Sequence, residues 1–232
     1  MTMRLQRSPI GSPVPSTPPE PDKITQSRAR HGLYRRFGKR AFDLAAVLIF
    51  APIVVSIVAV FALAVARDGG SPFYTQLRVG KGGRHFRMWK LRSMVVDADE
   101  RMKEHLESDP EASVEWAETQ KLKKDPRITR VGQFLRKSSL DELPQLWNVF
   151  VGDMSLVGPR PIMISQQAIY PSTTYYALRP GITGYWQTAG RNRTSFAARA
   201  EFDATYYEDL SLGTDLRVLV RTVFTVLACT GY

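Results

Sequence analysis

The residues best suited to chemistry in this 232-residue chain are two adjacent carboxylates, Asp141 and Glu142. A carboxylate can act as a nucleophile, and Mg²⁺ is commonly bound by one or two carboxylates together with substrate phosphates. Arg136 adds a cation nearby, which could hold a phosphate beside them. This combination predicts phosphoryl transfer at a diphosphate, in which a carboxylate could act as the nucleophile and Glu142 could supply an oxygen ligand to Mg²⁺.

The spacing around the pair also predicts the start of a helix. Ser139 and Glu142 have the spacing of a capping box, which would make Leu140 and Asp141 the first helical residues. Pro144 is tolerated in that first turn, whose amides have no intrahelical acceptor. A helix N-terminus stabilises negative charge, so the carboxylates could simply complement the helix dipole. The spacing alone leaves the structural and the catalytic interpretations open.

Two further segments offer cations that could bind phosphate. Arg160 lies between two prolines, which restrict the backbone and could present a preformed guanidinium fork to phosphate oxygens. Lys90 and Arg92 lie at the end of a predicted strand, and the period of two places both on one face. A solvated turn arginine and solvated strand charges explain these residues equally well.

A mixed set of helices and strands must position these side chains. Residues 72–79 and 84–91 predict a β-hairpin with a glycine-rich turn. Residues 97–124 predict two solvated helices, interrupted at Asp109-Pro110. Near the C-terminus, apolar residues at helical spacing predict an amphipathic helix that is packed on the core or lies in a membrane interface. These residues are Leu216, Leu219, Val220, Val223, Phe224 and Leu227.

An uncharged apolar run at residues 44–66 predicts membrane insertion. As a helix, its 23 residues would be about 34 Å long, enough to cross a bilayer core. Basic residues precede and follow the run, and such residues favour the cytoplasmic side. Pro52 lies near its middle and can break one helix into two. A hairpin that returns to the cytoplasmic face fits both facts, and a single Pro-kinked span is the alternative.

The composition limits the remaining classes. The formal net charge is +10, of which +7 falls in the first 40 residues, so the folded part has little excess charge for nucleic acid. One cysteine, Cys229, and three histidines provide neither a disulfide framework nor a zinc cluster, which fits a reducing compartment. The first 22 residues hold six prolines and predict a disordered tail.

Taken together, these motifs resemble the small monotopic phosphoglycosyl transferases of bacteria, which start the assembly of exopolysaccharides and other glycans. The runs SSLDELPQL and DMSLVGPRP are the most specific of the matching segments. The others occur in the family's order between residue 39 and about residue 190. The matching segments are residues 39–43, the Pro52-broken run, and residues 90–94, 125–129, 136–146, 152–161 and 179–184.

The resemblance implies a mechanism and roles for individual residues. In the family, an aspartate attacks the β-phosphate of a UDP-sugar, releases UMP and holds the phosphosugar until polyprenyl phosphate takes it. Asp141 and Glu142 match the Mg²⁺-assisted dyad, with Glu142 as the metal ligand. Arg136 and Arg160 match positions associated with phosphate contacts, and Lys90 is a third candidate. Ala51 precedes Pro52 where some members have serine, so the carbonyl freed at the break must find another partner, Ser56 or a neighbouring element.

We therefore predict an α+β fold, with a re-entrant membrane helix hairpin, a small β-hairpin and several amphipathic or interfacial helices around one catalytic core. Residues 1–30 are expected to form the disordered basic tail and residues 31–67 the juxtamembrane segment and membrane hairpin. Residues 68–232 are expected to form the catalytic domain on the cytoplasmic face of the bacterial inner membrane.

The expected reaction transfers hexose-1-phosphate, with galactose or glucose as the sugar, from a UDP-sugar to undecaprenyl phosphate. No nucleic acid is expected as a partner, and a homodimer is left open. The alternative is a membrane-anchored basic adaptor or nucleic-acid-binding protein without catalysis, whose Asp141-Glu142 pair is only a helix cap.

Overall fold

A computed structural model describes residues 32–119, 122, 124–190 and 196–227. The predicted tail at residues 1–30 and Cys229 lie outside these ranges. The described helices are α1 (Lys39–Ala66), α2 (Ala98–Ser108), α3 (Pro110–Thr119), α4 (Arg130–Ser138), α5 (Gln145–Val151), α6 (Thr174–Ala177), α7 (Arg199–Asp209) and α8 (Leu212–Leu227). The described strands are β1 (Phe73–Val79), β2 (His85–Leu91), β3 (Ser155–Val157) and β4 (Gly181–Thr183). This helix-rich mixture with small sheets agrees with the predicted class.

The predicted β-hairpin is confirmed. Strands β1 and β2 pair antiparallel, with Tyr74 opposite Lys90 and Arg78 opposite Phe86. A short turn at Lys81–Gly83 joins the two strands. Gly82 has φ of 68° and Gly83 has φ of 77°, values in the left-handed region that glycine adopts without steric cost. The glycine-rich run is thus explained by the turn that it must form.

The two charged helices are also confirmed, and the interruption falls at the predicted dipeptide. Helix α2 ends at Ser108, and α3 begins at Pro110. The Asp109 side chain accepts hydrogen bonds from the backbone amides of Glu111 and Ala112, which caps the start of α3. Pro110 occupies the first helical position, where a missing amide hydrogen costs nothing.

The apolar run forms one helix, and the predicted division at Pro52 is not confirmed. Helix α1 is helical from Lys39 to Ala66 and includes Pro52. With the preceding turn it is the one described helix long and apolar enough to cross a membrane, on length and composition alone. A proline inside a helix removes one hydrogen bond and can kink the helix without ending it. The Ser56 hydroxyl donates to the Pro52 carbonyl at 2.9 Å.

Both ends of α1 contact the rest of the protein. Near its start, Val47 packs in a core cluster with Phe86 and Met88 of β2. Near its end, Val65 packs in another cluster with Leu91 of the same strand and with Leu135 of α4. The middle of the helix exposes large apolar side chains. These are Leu48, Ile49, Phe50, Ile53, Val55, Val60 and Leu63.

The start of α1 is also held by buried polar contacts. The Asp43 carboxylate is buried and accepts a hydrogen bond from the Leu156 amide at 3.1 Å. The Lys39 ammonium lies 2.7 Å from the Asp215 carboxylate at the start of α8. Asp215 has no exposed surface, and it also accepts hydrogen bonds from the hydroxyls of Tyr34 and Tyr206. These contacts fasten the first helix to the last one described.

Helix α8 confirms the predicted amphipathic helix near the C-terminus. Its polar residues Thr214 and Asp215 are buried together with Val218. Its large apolar side chains instead face outward, and they are Leu212, Leu216, Val220, Val223 and Phe224. An exposed apolar helix face of this kind is typical of membrane interfaces.

A second, parallel two-stranded sheet brings two glycine-containing motifs together. Strand β3 pairs with β4, and Ser155 lies opposite Gly181. A side-chain carbon added at Gly181 would come within 2.1 Å of the Gly158 backbone nitrogen. A carbon added at Gly158 would come within 2.4 Å of the Arg179 carbonyl. Both positions therefore require glycine, because the two backbones pack directly against each other. This packing also fixes the position of the segment that leads to Arg160.

Candidate active site

Asp141 and Glu142 lie in a short 3-10 turn, Leu140–Glu142, between α4 and α5. The predicted capping box is wrong. Ser139 ends α4 in the left-handed conformation, with φ of 58°, and its side chain makes no capping hydrogen bond. Leu140 and Asp141 are the first residues of the 3-10 turn, as predicted, but Ser139 precedes them without the extended backbone and side-chain contact that a capping box needs. The next α-helix starts only at Gln145, and the dipole of a helix therefore does not hold the charge of Asp141.

The strained backbone of Ser139 directly precedes the carboxylate pair. Within the described ranges it is the one residue other than glycine with positive φ. Such conformations cost free energy and are retained where the surrounding structure enforces them, often at functional sites. Here the left-handed residue ends α4, and Asp141, two residues further on, is largely buried.

Lys90 bridges the two carboxylates. Its Nζ atom lies 2.7 Å from Glu142 Oε1 and 3.6 Å from Asp141 Oδ2. All three side chains are shielded from solvent, with relative exposures of 12% for Lys90, 12% for Asp141 and 22% for Glu142. The structure therefore brings together three of the residues that the sequence nominated, and it places them in a setting where charge interactions are strong.

The charges of this cluster are set by burial and by each other. Burial raises the pKa of Asp141, and the nearby Glu142 raises it further, whereas Lys90 and Arg136 lower it. Burial alone would lower the pKa of Lys90, but Glu142 and Asp141 outweigh that effect and raise it. The net effect on Asp141 is a raised pKa, so burial outweighs the cations there. Lys90 stays protonated and, with Arg136, opposes this rise and favours the charged carboxylate.

Asn148 of α5 positions the strand that carries Lys90, a role that the sequence did not reveal. Asn148 is buried, and its side-chain oxygen accepts a hydrogen bond from the Trp89 amide at 3.0 Å. Its side-chain nitrogen donates to the Arg87 carbonyl at 2.8 Å. Asn148 thus binds the free edge of β2 as a further strand would and fixes Lys90 relative to the segment before α5.

Arg92 has a structural role rather than the phosphate-facing one considered beside Lys90. Strand β2 ends at Leu91, so the period of two does not continue to Arg92. The Arg92 guanidinium donates to the Val65 carbonyl at 3.2 Å and pairs with Asp68. It fastens the end of α1 to the hairpin.

Arg160 belongs to a second cationic cluster, formed with Arg78 of β1 and Arg199 of α7. The Arg160 and Arg199 guanidinium carbons lie 5.8 Å and 4.7 Å from the centre of the Trp186 ring. Burial lowers the pKa of Arg78, and Arg160 and Arg199 lower it further. The Arg78 Nε atom is buried without a hydrogen-bond partner among the described residues. Three arginines held this close beside an aromatic ring form a site suited to an anion.

The two clusters lie on one face of the β-hairpin. Tyr74 is directly opposite Lys90, and residues 74, 76 and 78 of β1 share a face because side chains alternate along a strand. The Arg78 guanidinium donates to the Gln76 side chain at 2.6 Å, along that face. Four strand residues span about 13 Å. The alternation of β1 is the sequence signal that could have nominated Arg78, whereas no local pattern points to Arg199.

The carboxylate pair suits a divalent cation only in combination with other ligands. Across the described ranges, no group of three or more His, Cys, Asp or Glu residues could hold a metal ion. Asp141 and Glu142 provide two carboxylates beside an otherwise cationic pocket. Mg²⁺ is commonly held by one or two carboxylates with phosphate oxygens and water, so this donor set fits a metal that binds together with a diphosphate.

The chain is similar to known bacterial proteins over most of its length. A family model described as bacterial sugar transferase matches residues 34–229. The UDP-galactose-lipid carrier transferase of Erwinia amylovora is 45% identical over 90% of this chain and 44% of its own length. The undecaprenyl-phosphate galactose phosphotransferase of Salmonella typhimurium is 45% identical over 84% of this chain and 42% of its own length. The chain thus spans less than half the length of these two relatives.

A shorter relative is matched over nearly its whole length. The exopolysaccharide production protein ExoY of Rhizobium meliloti is 43% identical over 83% of this chain and 87% of its own length. The residues matched by the family model include α1, the β1–β2 hairpin and both cationic clusters.

Proposed function

Because the chain belongs to the bacterial sugar transferase family and is a sugar transferase, we propose that it transfers a hexose-1-phosphate from a UDP-sugar to undecaprenyl phosphate, as a first step in exopolysaccharide assembly. Family membership favours this enzyme over the basic adaptor considered as the alternative. Two relatives are named for galactose, so galactose is the first sugar that we propose for this chain.

The observation that carries the proposal is the buried contact of Lys90 with Asp141 and Glu142. We propose that Asp141 attacks the β-phosphorus of the UDP-sugar. A bond forms between a carboxylate oxygen and that phosphorus, and the bond to the oxygen bridging the two phosphates breaks. UMP leaves with the bonding electron pair. A phosphate oxygen of the lipid then attacks the same phosphorus, and the carboxylate of Asp141 is released.

The residues around Asp141 have separate tasks in this scheme. Lys90 and Arg136 favour the charged form of the carboxylate and would offset the negative charge that develops on the phosphate. Glu142 is held by Lys90 at 2.7 Å, which orients its carboxylate beside Asp141, and we assign it the role of a ligand for the metal ion. Mg²⁺, when bound with the diphosphate, would neutralise phosphate charge and polarise the reacting group.

The arginine cluster fits the nucleotide end of the same substrate. Arg78, Arg160 and Arg199 offer guanidinium groups to the phosphate that leaves as UMP, and the Trp186 ring offers a flat surface to the uracil base. The span of about 13 Å between this cluster and Lys90 suits a molecule with a diphosphate at one end and a base at the other.

We also propose that both ends of α1 lie on the cytoplasmic side of the membrane. Strand β2 contributes residues to the core clusters at both ends of the helix. Seven strand residues extend about 23 Å, which is less than the roughly 30 Å thickness of a bilayer core. A helix whose two ends contact one short strand does not suit a full span. The exposed apolar residues of α1 and the outer face of α8 would then lie in the lipid.

The test of the function is UMP release by the purified full-length protein. With Mg²⁺, UDP-galactose and undecaprenyl phosphate, we expect catalytic release of UMP and formation of a lipid-linked diphosphate sugar. UDP-glucose and UDP-N-acetylgalactosamine serve as competing donors that identify the sugar. Lack of UMP release from every UDP-hexose would contradict the proposal.

A further inference from the structure

A cavity of about 430 Å³ lies between the β1–β2 turn and the C-terminal end of α5. It adjoins His85 at the start of β2, whereas Lys90 lies near the other end of that strand. Four cationic side chains line it, namely Arg40, Lys81, Arg84 and Arg179. Asp153 is the single acidic side chain in the lining. The cavity is therefore strongly positive, and the proposed reaction uses none of these residues.

The protein neutralises this positive charge only in part. Within the part of the chain that the structure describes, no salt bridge involves any of the four cations. The Arg40 guanidinium donates to the carbonyls of Val149 and Phe150, and Arg179 Nε donates to the Gly152 carbonyl at 2.8 Å. These contacts hold the two arginines in place at the end of α5, and carbonyl groups do not cancel their charge. Asp153 in the lining and Asp43 near Arg179 offset only part of it.

The pKa of Lys81 reflects this excess of positive charge. Burial lowers its pKa, and the nearby Arg179, Arg35 and Arg84 lower it further. Cations held together in a partly buried place repel one another, and a bound anion removes that cost. The glycine turn that follows Lys81 fixes the lysine in this position.

The cavity opens beside surfaces that we place at the membrane. Arg40 belongs to the first turn of α1. Val151, which lines the cavity, is 49% exposed, and the neighbouring Phe150 and Trp147 of α5 are 42% and 56% exposed. Cations at the border of an apolar surface are suited to the headgroups of anionic lipids. The anion most accessible to this cavity is thus one carried on a lipid.

The cavity is separate from the catalytic carboxylates. His85 and Lys90 are five positions apart along β2, a distance of about 16 Å. A phosphate in the cavity therefore cannot be the phosphate that reacts at Asp141. We propose that the cavity binds the phosphate headgroup of an anionic phospholipid and thereby fixes the depth and orientation of the enzyme at the membrane surface. This site goes beyond the proposed transfer, since it requires neither the sugar donor nor the acceptor.

The test compares lipid binding by the full-length protein and two double variants. Lys81→Ala/Arg84→Ala removes two cavity cations, and Lys103→Ala/Lys124→Ala removes two exposed lysines elsewhere. Titration with short-chain phosphatidylglycerol, monitored by native mass spectrometry, should show at least tenfold weaker binding for the cavity variant and no change for the control. Short-chain phosphatidylcholine and inorganic phosphate should bind weakly to all three proteins.

Three outcomes would overturn the proposal. Equal phosphatidylglycerol affinity in the cavity variant and the wild type would show that the cavity does not bind this lipid. Binding of inorganic phosphate as tightly as phosphatidylglycerol would make it a site for free phosphate. A raised KM for undecaprenyl phosphate with unchanged phosphatidylglycerol affinity would make it an acceptor site. If the double variant fails to fold, Lys81→Gln replaces it. UMP release is measured separately, so a failure of the transfer proposal leaves the lipid result interpretable.

Discussion

The ammonium nitrogen of Lys90 lies 3.6 Å from a carboxylate oxygen of Asp141, in a place largely closed to solvent. Burial raises the pKa of this carboxyl, and Lys90 lowers it. The two effects oppose each other, so the fraction of Asp141 that is ionised depends on the contact. This relationship connects the fold of the hairpin to the reactivity of the site, and it gives the first prediction.

Lys90→Met should shift the pH dependence of UMP release. Without the ammonium group, the pKa of Asp141 rises, and a protonated Asp141 cannot attack phosphorus. The acidic limb of the kcat/KM profile should therefore move to higher pH. Lys90→Arg keeps the charge and should keep the limb near its wild-type position, and Lys103→Met is the control on the exposed side of α2. If the acidic limb of the Lys90→Met profile does not move, Lys90 does not control the ionisation of Asp141.

Asp141→Asn should abolish UMP release while leaving the fold nearly unchanged, because the side chain keeps its size but loses the attacking charge. With UDP-sugar and Mg²⁺ but no lipid acceptor, the wild type should release up to about one equivalent of UMP and gain the mass of one phosphosugar. Intact-protein and peptide mass spectrometry locate the adduct. An adduct on another residue, or release of UMP only with acceptor, argues against a nucleophilic Asp141.

Arg136→Ala and Arg160→Ala should each lower kcat/KM by about 10- to 100-fold, the range expected for the loss of a charge-assisted hydrogen bond to phosphate. Arg130→Ala on the exposed surface of α4 is the matched control and should have little effect. Steady-state kinetics with UDP-galactose provide the comparison, and melting temperatures confirm folding. Activity like that of the control in both variants would mean that neither arginine contacts the substrate.

Pro52→Leu should shift some molecules toward a full membrane span, because leucine restores the missing amide donor and removes the ring clash. Leu33→Cys in a Cys229→Ser background reports the side on which the start of α1 lies. In intact cells, this cysteine should be protected from an impermeant maleimide, and Pro52→Leu should increase its labelling. Ala59→Leu, an apolar change in the same helix, should not increase the labelling of this cysteine. Full labelling without Pro52→Leu would establish a periplasmic start and contradict the proposed topology.

Asp203→Asn should remove part of the pH dependence of stability. Burial raises the pKa of Asp203 to about 7, although the hydrogen bond from Tyr170 opposes this rise. Since the unfolded value is about 4, the folded state binds the proton more tightly, and stability falls as pH increases from about 4 to 7. The melting temperature of the wild type should fall between pH 5 and pH 8 more than that of Asp203→Asn. The melting temperature of Asp99→Asn, on the surface of α2, should depend on pH as that of the wild type does. The same pH dependence in all three proteins would contradict a raised pKa of Asp203.

Local patterns in the sequence were sufficient to predict the elements that depend on interactions between neighbouring residues. The hairpin was predictable from alternation and from the glycines of its turn. The break between α2 and α3 was predictable because Asp109 and Pro110 cap and start a helix through contacts with their immediate neighbours. The capping box failed for a related reason: Ser139 has the right spacing, but α4 continues up to it and forces the left-handed conformation that ends that helix.

The arrangement of the site depends on contacts between distant segments, which the sequence does not encode in any short pattern. Lys90 and Asp141 meet because Asn148 binds the edge of β2. Arg199 reaches the Trp186 ring only through the packing of α7. Residue types and spacing supplied the candidates Asp141, Arg136 and Arg160, and the resemblance to a family gave them roles, whereas the pairing of charges and the second arginine cluster required the fold.

The buried contact between Lys39 and Asp215 has a consequence for how the chain is made. These residues are separated by 176 positions, so the start of α1 leaves the ribosome long before its counter-charge is synthesised. During that interval the apolar helix must bind to the membrane or to the insertion machinery, because Asp215, which later holds its start in the core, has not been synthesised. The catalytic core can close around Asp215 only when translation has reached α8. A nascent chain stalled before residue 215 would therefore be bound to the membrane yet remain open to proteases.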